Sequence, residues 1–209
     1  FDETKECIII DPGCYEEYEQ DSLKNFVNQN NLKPVKLINT HCHIDHVLGN
    51  KFVADTWLLN LEIHELDLPL LNSVKDYCTV YGFDHYKESP KPTKFLKEGK
   101  QVTFGNSSLD ILFTPGHAPG HITLHSPEQK FIISGDVLFQ MSIGRTDLPG
   151  GDYDTLINSI KTILLPLPDS PTRVICFCFK ALRIEEVSTP RTIGIRKRAP
   201  AEDRTVLGL

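Results

Sequence analysis

The residues best suited to chemistry form one short run, His41-Cys42-His43-Ile44-Asp45-His46, in which His41, His43, Asp45 and His46 could all bind a metal. Alternate residues of a strand share a face, so four such side chains this close cannot all lie on one face of a regular strand; they must ride on a turn. Imidazole nitrogens suit zinc, iron and other borderline ions, and the interposed carboxylate can serve a second ion or orient a bound water. A lone histidine is ordinarily a surface or hydrogen-bonded core group, but three beside an aspartate argue against chance. The Cys42 side chain should diverge from its two neighbours, which makes it a core residue.

Two further places carry the same chemistry. Thr114-Pro115-Gly116-His117-Ala118-Pro119-Gly120-His121 is a loop held irregular by two Pro and two Gly, and one of its histidines is expected to reach the metal. Phe131-Ile132-Ile133-Ser134-Gly135-Asp136 is an apolar strand ending on a carboxylate, at the end where α/β folds gather ligands. Alone, Asp136 would pass for a turn residue; its weight comes from the other two places.

These segments need a scaffold. Cys7 to Asp11 reads as a buried strand, closed by Asp-Pro-Gly, and Glu16 to Asn28 as a helix with Leu23, Phe26 and Val27 on one stripe. Val35 to Asn39 is a strand leading into the histidine run. Ile63 to Leu71 and Val74 to Tyr81 read as short helices, a cover that ends at Ser89-Pro90-Lys91-Pro92. Strands return at Gln101 to Phe104, Leu109 to Phe113, His121 to His125 and Lys130 to Ser134. Asp152 caps a helix carrying Tyr153, Leu156, Ile157, Ile160 and Leu164. Two sheet-plus-helix halves predict a four-layer αββα sandwich. A strand that opens the chain without a partner before it suggests that the first N-terminal strands are lacking.

Composition narrows the partners. A chain of 209 residues with 40% hydrophobic content supports one globular core. With 22 basic against 28 acidic residues, its charge of -6 offers no overall field for nucleic acid. No apolar run is long enough to span a membrane and the start lacks signal-peptide order, so a cytoplasmic protein is expected. The six cysteines show no framework spacing, which favours reduced thiols.

The HxHxDH run, the Pro-Gly-His loop and the Ser-Gly-Asp strand end occur in the order of the metallo-β-lactamase superfamily. The chain resembles its glyoxalase II-like (hydroxyacylglutathione hydrolase-like) branch of small bacterial hydrolases, through Ser134-Gly-Asp-Val-Leu-Phe139 and Gly144-Arg-Thr-Asp-Leu-Pro-Gly-Gly-Asp152. The resemblance covers residues 6 to 176; a metallo-β-lactamase-fold domain is expected over 1–176 and an atypical segment over 177–209. It assigns His41, His43 and His117 to one metal, Asp45 and His46 to a second, and Asp136 to both. It implies zinc, with two ions, and hydrolysis of a small-molecule thioester such as a hydroxyacyl-glutathione by a metal-bound hydroxide, with Asp45 steering the nucleophile. Arg145 is a candidate contact for a substrate carboxylate. Asp11 could support the site, although an Asx turn explains it equally.

The departure lies at the end of the chain. The family pattern places a His after the last apolar strand, whereas Val174-Ile175-Cys176 runs into Phe177-Cys178-Phe179, and no His follows His125. Direct alignment puts Cys178 where the ligand belongs, and a thiolate can bind zinc, but bulky Phe replace the flanking Gly; a second alignment, on Thr192-Ile193-Gly194, puts Val187 there, which cannot coordinate. A well-held first metal and a weak second one are therefore expected. A mononuclear iron persulfide dioxygenase is the alternative enzyme, since it shares this fold and uses fewer ligands. A catalytically impaired metal-binding relic is the alternative outside enzymes. His121 could orient a metal ligand, a surface or hydrogen-bonding role being an equal alternative; His125 is given a surface or hydrogen-bonding role, and His64 and His85 solvated ones.

Overall fold

A computed structural model describes residues 1–139, 141–168 and 173–175. The first half alternates strand and helix: β1 (Glu6–Ile10), α1 (Glu17–Gln29), β2 (Lys33–Ile38), α2 (Ile44–Val47), α3 (Asn50–Trp57), β3 (Leu61–His64), α4 (Leu68–Tyr77) and β4 (Lys94–Leu96). Its strands form a parallel sheet in the order β1-β2-β3-β4. The second half contains β5 (Gln101–Phe104), β6 (Ser107–Phe113), β7 (Ile122–Ser126), β8 (Phe131–Ile133), the two-residue pair β9 (Leu138–Phe139) and β10 (Ser142–Ile143), α5 (Tyr153–Ser159) and β11 (Arg173–Ile175). Its main sheet is ordered β11-β8-β7-β6-β5, antiparallel except where β11 runs parallel to β8.

The layering follows from the two-residue period of strands. Ile8, Ile10 and Ile38 point from the first sheet into a core shared with Val102, Leu109, Ile111, Leu124 and Ile133 of the second. Their neighbours Ile9 and Leu37 point the other way, onto Val53, Ala54, Leu71 and Val74 of α3 and α4. Ile132 turns its back on the shared core and packs with Leu156, Ile160 and Leu164. Helix, sheet, sheet and helix therefore stack as the αββα sandwich that the sequence predicts.

Three elements differ from the sequence reading. Leu61–His64 is a strand, where the sequence reading starts a helix at Ile63. The segment is only four residues long and lies between β2 and β4, with Leu61, Glu62 and Ile63 all buried, so it shows no alternation by which a strand could be recognised. The two helices expected over Ile63 to Tyr81 are one helix, α4, flanked by short 3-10 turns at Glu65–Asp67 and Cys78–Tyr81. The helix expected to run unbroken to Leu164 changes to π geometry over Ile160–Leu164. β1 stands at an edge of its sheet among the described residues. No helix among the described residues is long and apolar enough to cross a membrane.

Candidate metal centre

Every cluster singled out in the sequence opens at the same end of the two sheets. β1 delivers Asp11, β2 runs into the His41–His46 segment, the β6–β7 loop carries His117, and β8 ends beside Asp136. His41 and His43 occupy irregular backbone, while Asp45 and His46 lie on α2. The turn that the spacing demands is therefore a loop leading into a short helix.

Ring nitrogens of His41, His43 and His117 converge on one point. His117 Nε2 is 3.2 Å from His41 Nε2 and 2.8 Å from His43 Nδ1. The opposite nitrogens explain why these atoms face one another. His117 Nδ1 donates to the Arg145 carbonyl at 2.7 Å, and His41 Nδ1 donates to Thr40 Oγ1 at 3.2 Å, which leaves both Nε2 lone pairs bare. Burial lowers the proton affinity of all three rings, and His43 falls to about 3 through burial followed by repulsion from His117. Neutral, deprotonated imidazoles converging inside a protein fit a cation.

The second cluster is anionic. His46 Nε2 lies 3.6 Å from Asp45 and 3.5 Å from Asp136 Oδ1, an oxygen that is buried without a hydrogen-bond partner. The other Asp136 oxygen is 3.7 Å from His117 Nε2, so this carboxylate faces both clusters. Burial disfavours a charge on His46, yet the Asp11 carboxylate, 3.2 Å from its Nδ1, together with Asp136 and Asp45 raises its pKa well above the ordinary value. The metal-free ring therefore holds both protons; when a cation displaces the one on Nε2, Asp11 keeps the Nδ1 proton and so turns the Nε2 lone pair toward the cluster. It also accepts from Thr40 N at 2.7 Å and Thr40 Oγ1 at 2.6 Å, using a backbone at φ 49 that aspartate tolerates better than most residues. Four imidazoles and three carboxylates within reach of two points form the donor set of a metal centre.

Support for Asp136 comes from His121, which the sequence leaves between orienting a ligand and a hydrogen-bonding or surface role. It is fully buried, its Nε2 accepts from Asp136 N at 3.1 Å, and its ring stacks on His41. Gly135, at φ 48, permits this approach, because a side chain there would strike His121 and Thr40. Arg145 contributes its carbonyl to His117, while its exposed guanidinium pairs with Asp147 at 2.7 Å. His85 is exposed, and His64 is half-buried against Phe113 rather than solvated. Cys42 is fully buried among apolar residues, in line with its core role. Cys7, Cys14, Cys42 and Cys78 are free thiols, and Cys178 lies outside the described residues. Asp67, fully buried, was not distinguishable in sequence from exposed Glu65 beside it.

The model of the metallo-beta-lactamase superfamily matches residues 1–178. The chain belongs to that superfamily. It is 38% identical to the hydroxyacylglutathione hydrolase GloC of Haemophilus influenzae over 81% of this chain and 78% of that protein. It is 25% identical to the mitochondrial persulfide dioxygenase ETHE1 of Bos taurus over 96% of this chain and 70% of that one. Among solved structures, TTHA1623 in a di-iron-bound form superposes with a TM-score of 0.72 and 36% identity, covering 82% of this chain and 81% of that one. A metal-dependent hydrolase on this fold is thus supported by sequence, by architecture and by the donor set.

Proposed function

We propose that the protein hydrolyses a thioester of the hydroxyacyl-glutathione kind at a two-metal centre, with zinc as the metal. The observation that carries this reading is the Asp136 carboxylate, which faces a three-imidazole pocket with one oxygen and an acidic pocket with the other. In this reading His41, His43 and His117 hold one ion, Asp45 and His46 the second, and Asp136 both. Bound there, zinc supplies an acidified water and a positive charge for the substrate carbonyl oxygen.

The chain's own groups do the rest. Asp45 is the most exposed carboxylate of the centre, so it can take the proton of an attacking water and orient its oxygen. Asp11 holds His46, Thr40 holds His41 and the Arg145 carbonyl holds His117, which fixes the ligand directions before substrate arrives. A thiolate leaves readily because free thiols have pKa values of about 8.5, so no strong general acid is demanded of the site. The Arg145–Asp147 pair is exposed, and such pairs contribute little, so Arg145 can exchange Asp147 for a substrate carboxylate. A reducing cytoplasm suits both a glutathione substrate and the free cysteines.

The likeness to a persulfide dioxygenase over nearly the whole chain favours a second reading, in which one iron is bound and a persulfide is oxidised. Purified protein assayed with S-lactoylglutathione and zinc, alongside oxygen uptake with glutathione persulfide and iron, separates the two. Zinc-dependent thioester cleavage is the expected result. Iron-dependent oxygen uptake without cleavage would transfer the assignment to the dioxygenase, and neither activity would leave a metal-binding relic.

A further inference from the structure

A buried carboxylate joins the two loops that carry the imidazole pocket, and no ligand role uses it. Asp67 ends the 3-10 turn before α4 and is fully buried. Its Oδ2 accepts from Cys42 N at 2.7 Å, and its Oδ1 accepts from Gly120 N at 2.5 Å. Cys42 lies between His41 and His43, and Gly120 lies between His117 and His121. Neither amide belongs to a helix or a strand, so one side chain satisfies one N–H from each loop.

We propose that Asp67 is a positioning residue, a clasp that holds the His41–His43 loop and the His117–His121 loop in register for metal binding. The inference rests on the reading of this centre as a metal site. The contact is tight on both sides: a Cβ at Gly120 would sit 2.6 Å from Asp67 N and 2.7 Å from Asp67 Oδ1, so the loop approaches Asp67 with glycine alone. Asp67 has no cationic partner among the described residues, and burial pushes its pKa up to about 6. Burying a carboxylate on neutral donors is costly, and an apolar residue would fill the space with less penalty. What an apolar residue could not do is bind two separate backbone amides at once. Those amides set the spacing between His41 and His43 on one side and His117 on the other.

The substitution Asp67→Asn keeps the shape but turns an amide NH2 toward one of the two N–H donors, which frees one loop. Zinc uptake by the wild-type protein, measured first, tests the metal centre apart from the clasp; its absence would overturn both. With uptake established, D67N is expected to bind zinc at the tighter site about 10- to 100-fold more weakly, the range for residues that orient ligands. Val74→Ala, a fully buried truncation on the same helix, serves as the comparison for stability lost without loop release. A D67N protein whose metal-free melting temperature matches V74A and whose zinc affinity also matches would overturn the proposal. Hydrogen exchange on metal-free wild-type protein gives an independent reading that needs no variant. Protected Cys42 and Gly120 amides are expected, and free exchange of both would overturn the clasp.

Discussion

The imidazole pocket of His41, His43 and His117 and the acidic pocket of Asp45, His46 and Asp136 touch each other, yet they are built in opposite ways. The first takes its residues from both halves of the sandwich, lies wholly buried and keeps its rings neutral. The second draws two residues from the four-residue helix α2 and one from the loop after β8, and its Asp45 side chain is 38% exposed. The first pocket has its donors complete and desolvated; the second stays open where substrate and water must enter. A site that must bind metal firmly and still admit a nucleophile gains from this division.

The largest effect should come from breaking the buried pocket. His117→Ala removes a donor, the Arg145 carbonyl lock and the link between halves; loss of more than about 100-fold in zinc affinity is expected, beyond the usual cost of losing an orienting partner. Equilibrium competition against a chromogenic chelator reads this directly, and an affinity within a few-fold of wild type would dismiss the pocket as a ligand set. Asp11→Asn should act on the other pocket. His46 loses the carboxylate that sets its tautomer, so the weaker binding event should fall about 10-fold or more, and the tighter one, reached only through Thr40 and His41, by less. Equal losses in both events would mean that the pockets are not separable.

Acid should distinguish the pockets in metal-free protein. Folding lowers the pKa of His41, His43, His117 and His121 below 6.5, so the unfolded chain binds protons that the folded chain refuses, and stability falls as pH drops below 6.5. For His43, folded near 3, the cost at pH 5 is about 2 kcal/mol. His46 runs the other way: its raised value contributes stability that is complete below 6.5 and is lost as pH rises through the folded pKa. Four lowered rings outweigh His46 and Asp67, whose raised values favour the folded chain in acid, so thermal melts without metal should shift down between pH 7 and pH 5; no shift would contradict the buried neutral cluster. The smallest effect belongs to the rim. Arg145→Ala should raise KM a few-fold with kcat and metal content unchanged, because the metal centre uses only its carbonyl.

The sequence makes the donors legible because four of them fall in six residues, and it makes the second sheet legible because β5 to β8 are separated by turn residues such as Gly105-Asn106. What escaped it depends on tertiary contact. Ile63 and His64 read as a helix start and instead end a strand, Leu61–His64, because β2 and β4 flank it. α2 and α3 are too short for an apolar period to show, and β4 contains three residues. For His121 the sequence leaves two roles open, and the choice is made by Asp136 N on its ring. Asp67 is one acid among several until two loops close on it.

Titration of metal-free protein with zinc, followed calorimetrically, tests the division between the pockets most directly. A tight first event and a distinctly weaker second one are expected, with His117→Ala abolishing the first. Two equally tight events, or none, would contradict it.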